Sequence, residues 1–126
     1  HYRIAPGFIA QRLGLTGMLY WQVDYWTDDP WHDVTYVDGD RFYPGEGILV
    51  YPGKTVGLNG VVPSMRLKWI REGVEDYEYL EEFKRNRLSD VSQITETVAS
   101  DWQQWARDPQ VLARARREVG ESIAKN

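Results

Sequence analysis

The nine residues from Met18 to Trp26, MLYWQVDYW, constrain the fold more than any other stretch of this 126-residue chain. Aromatic and β-branched residues at this density favour extended backbone. Alternation with period two sorts them into two faces, Met18, Tyr20, Gln22, Asp24 and Trp26 opposite Leu19, Trp21, Val23 and Tyr25. The second face is apolar throughout, whereas the first turns polar only toward its C-terminal end. Such a strand suits a barrel, with helices packed outside and chemistry at the mouth. The same period also suits an antiparallel sheet with one wet face.

The flanking sequence supplies helices. Ala5 to Gly14 reads as a short helix on Phe8, Ile9 and Leu13, with Pro6 in its first turn and Gly14 as its stop. After the strand, TDDPWHDVTYVDGDR places Asp28, Asp29, Asp33, Asp38 and Asp40 in one loop with Trp31, His32 and Tyr36. Loops of this length are usually functional or disordered, and the density of aromatic residues favours function. GILVYPG, Gly47 to Gly53, makes a short strand or hairpin arm closed by a Pro-Gly turn, and Lys54 to Val62 reads as loop. Ser64 is the expected N-cap of a long helix, with Leu67, Ile70, Val74, Tyr77, Leu80 and Phe83 as its apolar stripe. Arg71 with Glu75 and Glu81 with Arg85 are spaced to pair on its exposed side, at ~0.2–0.5 kcal/mol each. A second helix is expected from Asp90 on Val91, Ile94, Val98, Trp102 and Trp105, and a third after the cap Asp108-Pro109, through Val119 and Ile123.

Composition narrows the function classes. A net charge of −4, spread over both signs, gives a phosphate backbone little to approach, so nucleic acid is not an expected partner. No apolar run reaches the ~20 residues of a membrane span, and none of the motifs requires a cofactor. Without cysteine, disulfides and thiolate metal sites are excluded and the compartment stays undetermined. The Asp-rich loop does not follow the regular Ca²⁺-loop spacing, which makes it a hydrated acidic loop rather than a metal site. The chain opens on His1 with no initiator Met or leader, so it is expected to be a piece of a longer polypeptide. Six Trp and eight Tyr are a high aromatic load. Such rings either fill a core or stack on the C–H faces of sugars.

The succession GMLYWQVDYWTDDPW, GILVYPG and VVPSMRLKWIREGVEDYEYL resembles the C-terminal half of the glycoside hydrolase family 123 catalytic domain and of its uncharacterised relatives, over about residues 1 to 83. The resemblance implies an α/β fold, the C-terminal portion of a (β/α)8 barrel with a helical tail. Residues 1–88 would supply the last strand-helix units, with Gly17 to Trp26 as a strand and Ser64 to Arg87 as the helix that follows it, and residues 89–126 the extension; a stand-alone α+β domain is the alternative. It also implies a β-N-acetylgalactosaminidase-like activity in which the substrate's acetamido oxygen is the nucleophile, assisted by an Asp-Glu pair. No Asp-Glu dipeptide occurs in this chain. The inverted Glu75-Asp76 lies within a helix whose stripe calls for core contacts, so no residue here is assigned a catalytic role. Cleavage needs a carboxylic acid on the leaving oxygen, and a complete barrel takes about 250 residues, so the chain alone is expected to be inactive.

Sites in such barrels lie at the C-terminal ends of strands. This singles out Gln22, Asp24, Tyr25 and Trp26, together with Trp31 in the following loop, as sugar contacts, with Asp24 the leading polar group and Trp26 and Trp31 the stacking rings. Arg66 is placed to pair with a loop carboxylate such as Asp24 or Asp40, and His32 reads as a surface residue. The expected partners are carbohydrate and either the upstream half of the barrel or another copy of the chain. A non-catalytic carbohydrate-binding module and a structural, self-associating domain are the competing functions.

Overall fold

The computed structural model describes residues 2–86 and 91–125. They divide into two compact units, residues 1–18 with 69–126, and residues 19–68. The class is α+β, with four α-helices and two separate two-stranded antiparallel sheets, and no barrel closes among the described residues. None of the described helices is long and apolar enough to cross a membrane.

The first unit is helical. A π-helical turn, Ala5–Ile9, runs into the short α1, Ala10–Arg12, and Gly14 ends it at φ +66°. The expected stop is therefore correct, although the helix is shorter and its first turn wider than a regular α-helix. Helix α2, Met65–Arg85, begins in the other unit and continues here, then α3, Val91–Val98, and α4, Pro109–Ala124, follow. Phe8, Ile9, Leu80, Phe83, Ile94, Val98, Ala115 and Val119, from the π-helical turn, α2, α3 and α4, form one buried cluster. The expected starts of α3 at Asp90 and end of α2 at Arg87 lie outside the described residues.

Two expectations about these helices need correction. The buried face of α2 is Gly73, Asp76, Leu80 and Phe83, while Val74, assigned to the stripe, is 47% exposed. The rotation follows from a close approach: a Cβ on Gly73 would sit 2.6 Å from Pro6 Cγ and collide with the carbonyl of Arg3, and one on Gly7 would sit 2.8 Å from the carbonyl of Gly73. Two glycines thus let the N-terminal turn lie directly on the backbone of α2. Helix α3 also stops earlier than its stripe suggested. Asp101 accepts from the amides of Gln103 and Gln104, an alternative to helical bonding, and the chain doubles back so that Ala106 donates to Val98. Trp102 is left 56% exposed instead of joining the stripe. The cap of α4 is as expected, with Asp108 accepting from Gln110 N at 2.9 Å.

Asp76 is 1% exposed and takes up two guanidinium groups. Arg3 grips it in bidentate fashion, Nε at 2.6 Å and Nη2 at 2.9 Å, and Arg116 of α4 adds Nε at 2.8 Å while lying over the Tyr79 ring. The hydrogen bond to Asp76 holds the Arg3 pKa above its usual value. On the outer side Arg71 pairs with Glu75 as expected, but Glu81 pairs with Lys84 and accepts from Gln11, and Arg85 turns to Glu82. Removing a buried acceptor strands its partners, so Asp76→Ala should destabilise the chain by about 3 kcal/mol in urea unfolding. A loss below about 1 kcal/mol would reduce the cluster to an ordinary surface pairing.

Candidate functional site

Residues 19–68 carry the Met18 to Trp26 run except for its first residue. It is not a strand: the segment makes one isolated antiparallel bridge, Asp24 with Ile48. Tyr25 donates to the carbonyl of Gly47 at 2.9 Å, and Leu49 donates to that of Val23 at 2.7 Å. Among the described residues, the amides of Leu19, Trp21, Gln22, Val23 and Asp24 donate to no backbone carbonyl. The alternation is real, but a strand exists only as part of a ladder, and here the ladder reaches only the C-terminal end of the run. As a result the apolar face expected to be covered is open, with Leu19 88% exposed and Trp21, Val23 and Tyr25 about half exposed.

The chain beyond folds back on this end. The long loop contains a small hairpin, β1 Val37–Asp38 with β2 Arg41–Phe42. The Gly47–Gly53 stretch supplies β3, Val50–Pro52, and pairs with β4, Val61–Pro63, so the hairpin-arm expectation is correct. The expected loop before Pro63 holds the 3₁₀ turn Gly53–Val56 and most of β4. Ser64 Oγ accepts from Leu67 N at 3.2 Å, the expected N-cap. Between the hairpins, Gly45 and Gly47 both adopt the left-handed conformation, φ +78° and +76°. A side chain at Gly47 would meet Trp21 Cζ2 at 2.7 Å and Tyr25 Cβ at 2.8 Å, which is how that turn comes to lie flush against the rings.

Four of the five residues singled out from sequence lie together on this segment. Gln22 Nε2 donates to Asp24 Oδ1 at 2.7 Å. Tyr25 joins a ring cluster with Trp21 and Tyr36, centroids 5.3–5.5 Å apart, and Tyr36 leads on to Tyr43 at 6.3 Å. Trp26 is 38% exposed and its indole N–H donates to the carbonyl of Val50 at 2.8 Å, which fixes the ring while leaving part of it open. Trp31 is set apart by its loop. Its indole donates to the carbonyl of Pro52 at 3.0 Å, and its ring stacks on Tyr51 at 4.8 Å, so one face is already taken.

The acidic loop gathers no group of three potential metal ligands among the described residues. Asp33 accepts from Thr35 N at 2.9 Å, and bonding from Thr35 lowers its pKa. His32 forms an exposed pair with Asp29 through Nδ1 at 2.9 Å. Arg66 differs from expectation: it reaches neither Asp24 nor Asp40, but donates from Nε to the carbonyl of Ile48 at 2.9 Å and from Nη2 to the hydroxyl of Tyr51 at 3.0 Å. Two residues that no sequence pattern singles out also belong here: Tyr43, which joins the ring cluster, and Glu46, which accepts from the Trp21 indole at 3.0 Å. The two glycines bracketing Glu46 were the available signal for a turn that presents a side chain.

Residues 3–83 match the family described as glycoside hydrolase 123, catalytic domain. Comparison with curated proteins gives no match.

The tight seat of Gly47 gives a direct test of the geometry. Gly47→Ala imposes both a strained φ and a clash with Trp21 and Tyr25, so a loss of about 1–3 kcal/mol is expected, together with a changed near-ultraviolet circular dichroism spectrum. An unchanged spectrum and midpoint would mean that the rings do not pack on this turn.

Proposed function

Because the chain belongs to the glycoside hydrolase 123 family, we propose that it contributes sugar-contacting residues to the C-terminal portion of a (β/α)8 glycosidase barrel whose catalytic Asp-Glu pair lies outside it. The supporting observation is the open 19–25 segment: an apolar, strand-patterned run with half-exposed rings and a ladder at one end only. In a closed barrel such a run has strands on both edges and helices over its outer face. Residues 1–88 are the barrel-derived part and residues 89–126 a helical extension, whose Val98, Ala115 and Val119 share a core with Phe8, Leu80 and Phe83.

On this reading Gln22, Asp24, Tyr25, Trp26 and Trp31 contact the sugar. Asp24 accepts from a hydroxyl, the open part of Trp26 stacks on a C–H face, and Tyr25 and Trp31 border the contact. The sugar class implied is a β-N-acetylgalactosaminide. Glu75-Asp76 stays outside the chemistry, since Asp76 is committed to Arg3 and Arg116. With no acid to protonate the leaving oxygen, the 126-residue chain should not turn over a nitrophenyl β-N-acetylgalactosaminide, and measurable turnover would contradict the assignment. In the enzyme with its complete barrel, Asp24→Ala should weaken sugar binding or turnover well beyond the effect of Glu121→Ala on the exposed side of α4. Equal effects would remove Asp24 from the site.

The exposed Leu19, Trp21 and Tyr25 also favour self-association when no partner half is present. Several hundred Å² of open apolar surface at ~25 cal/mol per Å² corresponds to about 5–10 kcal/mol, comparable to the stability of a domain. Sedimentation equilibrium at micromolar concentration should therefore find the isolated chain associated. A 14.7 kDa species throughout would argue for a complete, self-sufficient domain.

A further inference from the structure

We infer that Arg66 is a positioning residue for the sugar-contacting end of the 23–26 segment; the functional sense of this rests on the carbohydrate reading above. Among the described residues, every backbone hydrogen bond that residues 23–26 make outside themselves ends on residues 47–50, and the Trp26 indole also donates there, to Val50. The placement of Asp24 and Trp26 is therefore no better than the placement of that strip. Arg66 holds the strip at Ile48 and braces the residues on either side of it, Gly45 and Tyr51. Its Nε holds the Ile48 carbonyl, opposite Asp24 in the single bridge, and its Nη2 holds the Tyr51 hydroxyl. Its guanidinium fills the space beside Gly45, where a Cβ would stand 2.5 Å from Nη1.

No carboxylate pairs with Arg66 among the described residues, so it acts here through the rigid fork of its donors rather than as half of a salt bridge. Lysine carries one donor centre on a flexible stem and cannot span Ile48 and Tyr51 together. Sites lose efficacy when their groups shift by about 1 Å, which is the scale of motion that loosening a strip of this kind permits.

The test uses the ¹⁵N-labelled 126-residue chain, following the Trp26 indole N–H, assigned with Trp26→Phe. Two quantities are read: its solvent exchange in this chain, and its shift on titration with N-acetylgalactosamine in the polypeptide that carries the complete barrel. Arg66→Ala should speed the exchange about tenfold, the effect of one net hydrogen bond, and abolish the sugar-induced shift. Arg66→Lys should behave like Arg66→Ala, and ethylguanidinium added to Arg66→Ala should restore both readouts, which a general loss of stability would not allow. Tyr51→Phe, which removes one acceptor, carries the comparison if Arg66→Ala fails to fold. Unchanged exchange in a folded Arg66→Ala or Tyr51→Phe chain would overturn the inference. No sugar-induced shift in the unsubstituted complete-barrel polypeptide would overturn the carbohydrate reading, and the exchange comparison would still decide the role of Arg66.

Discussion

A β-strand is not a property of one segment, since its backbone groups must find partners on a neighbouring ladder or remain in water. The Met18 to Trp26 run is written as a strand in every local respect, yet only its last residues find a ladder, against Gly47 to Val50. The rings of Trp21, Tyr25 and Tyr36 pack against one another, with their centroids 5.3–5.5 Å apart. Glycines at 45 and 47 tighten the turn that holds the segment at its one anchored end.

The helical unit, by contrast, closes a buried core around Phe8, Leu80, Phe83, Val98 and Val119, beside one buried and fully partnered carboxylate. Asp76 is taken out of water only because two guanidinium groups, from opposite ends of the sequence, replace its hydration. One of them belongs to α4, beyond the family-matched residues 3–83, so helices outside the match complete a buried group inside it. The glycine contact between Gly7 and Gly73 is what allows Arg3 to arrive at the right height.

Much of this was legible in the sequence where the signal is local. The caps at Ser64 and Asp108, the stop at Gly14 and the Val50–Pro52 hairpin arm depend on neighbours a few residues away and were read correctly. The errors arose where distant segments decide. Periodicity gave Val74 to the core, but the approach of Arg3 and Pro6 turned Gly73 and Asp76 inward instead. Arg66 was expected to seek a carboxylate, and a carbonyl and a phenol hydroxyl were nearer. Of the site residues, Gln22, Asp24, Tyr25 and Trp26 cluster because they are adjacent in sequence. Tyr36, Tyr43 and Glu46 join Trp21 and Tyr25 only through loop closure, which no period encodes.

Amide hydrogen exchange tests most directly the proposal that the 19–25 run takes its neighbouring strands from the rest of a barrel. With the chain held dilute enough to be monomeric, the amides of Leu19, Trp21, Gln22, Val23 and Asp24 should exchange close to the unprotected rate, while Tyr25 and Leu49, bonded to Gly47 and Val23, exchange more slowly. In a polypeptide carrying the complete barrel, all of them should become protected. Protection of Leu19 to Asp24 in the isolated monomer, at the level of the α2 core around Leu80 and Phe83, would contradict the claim.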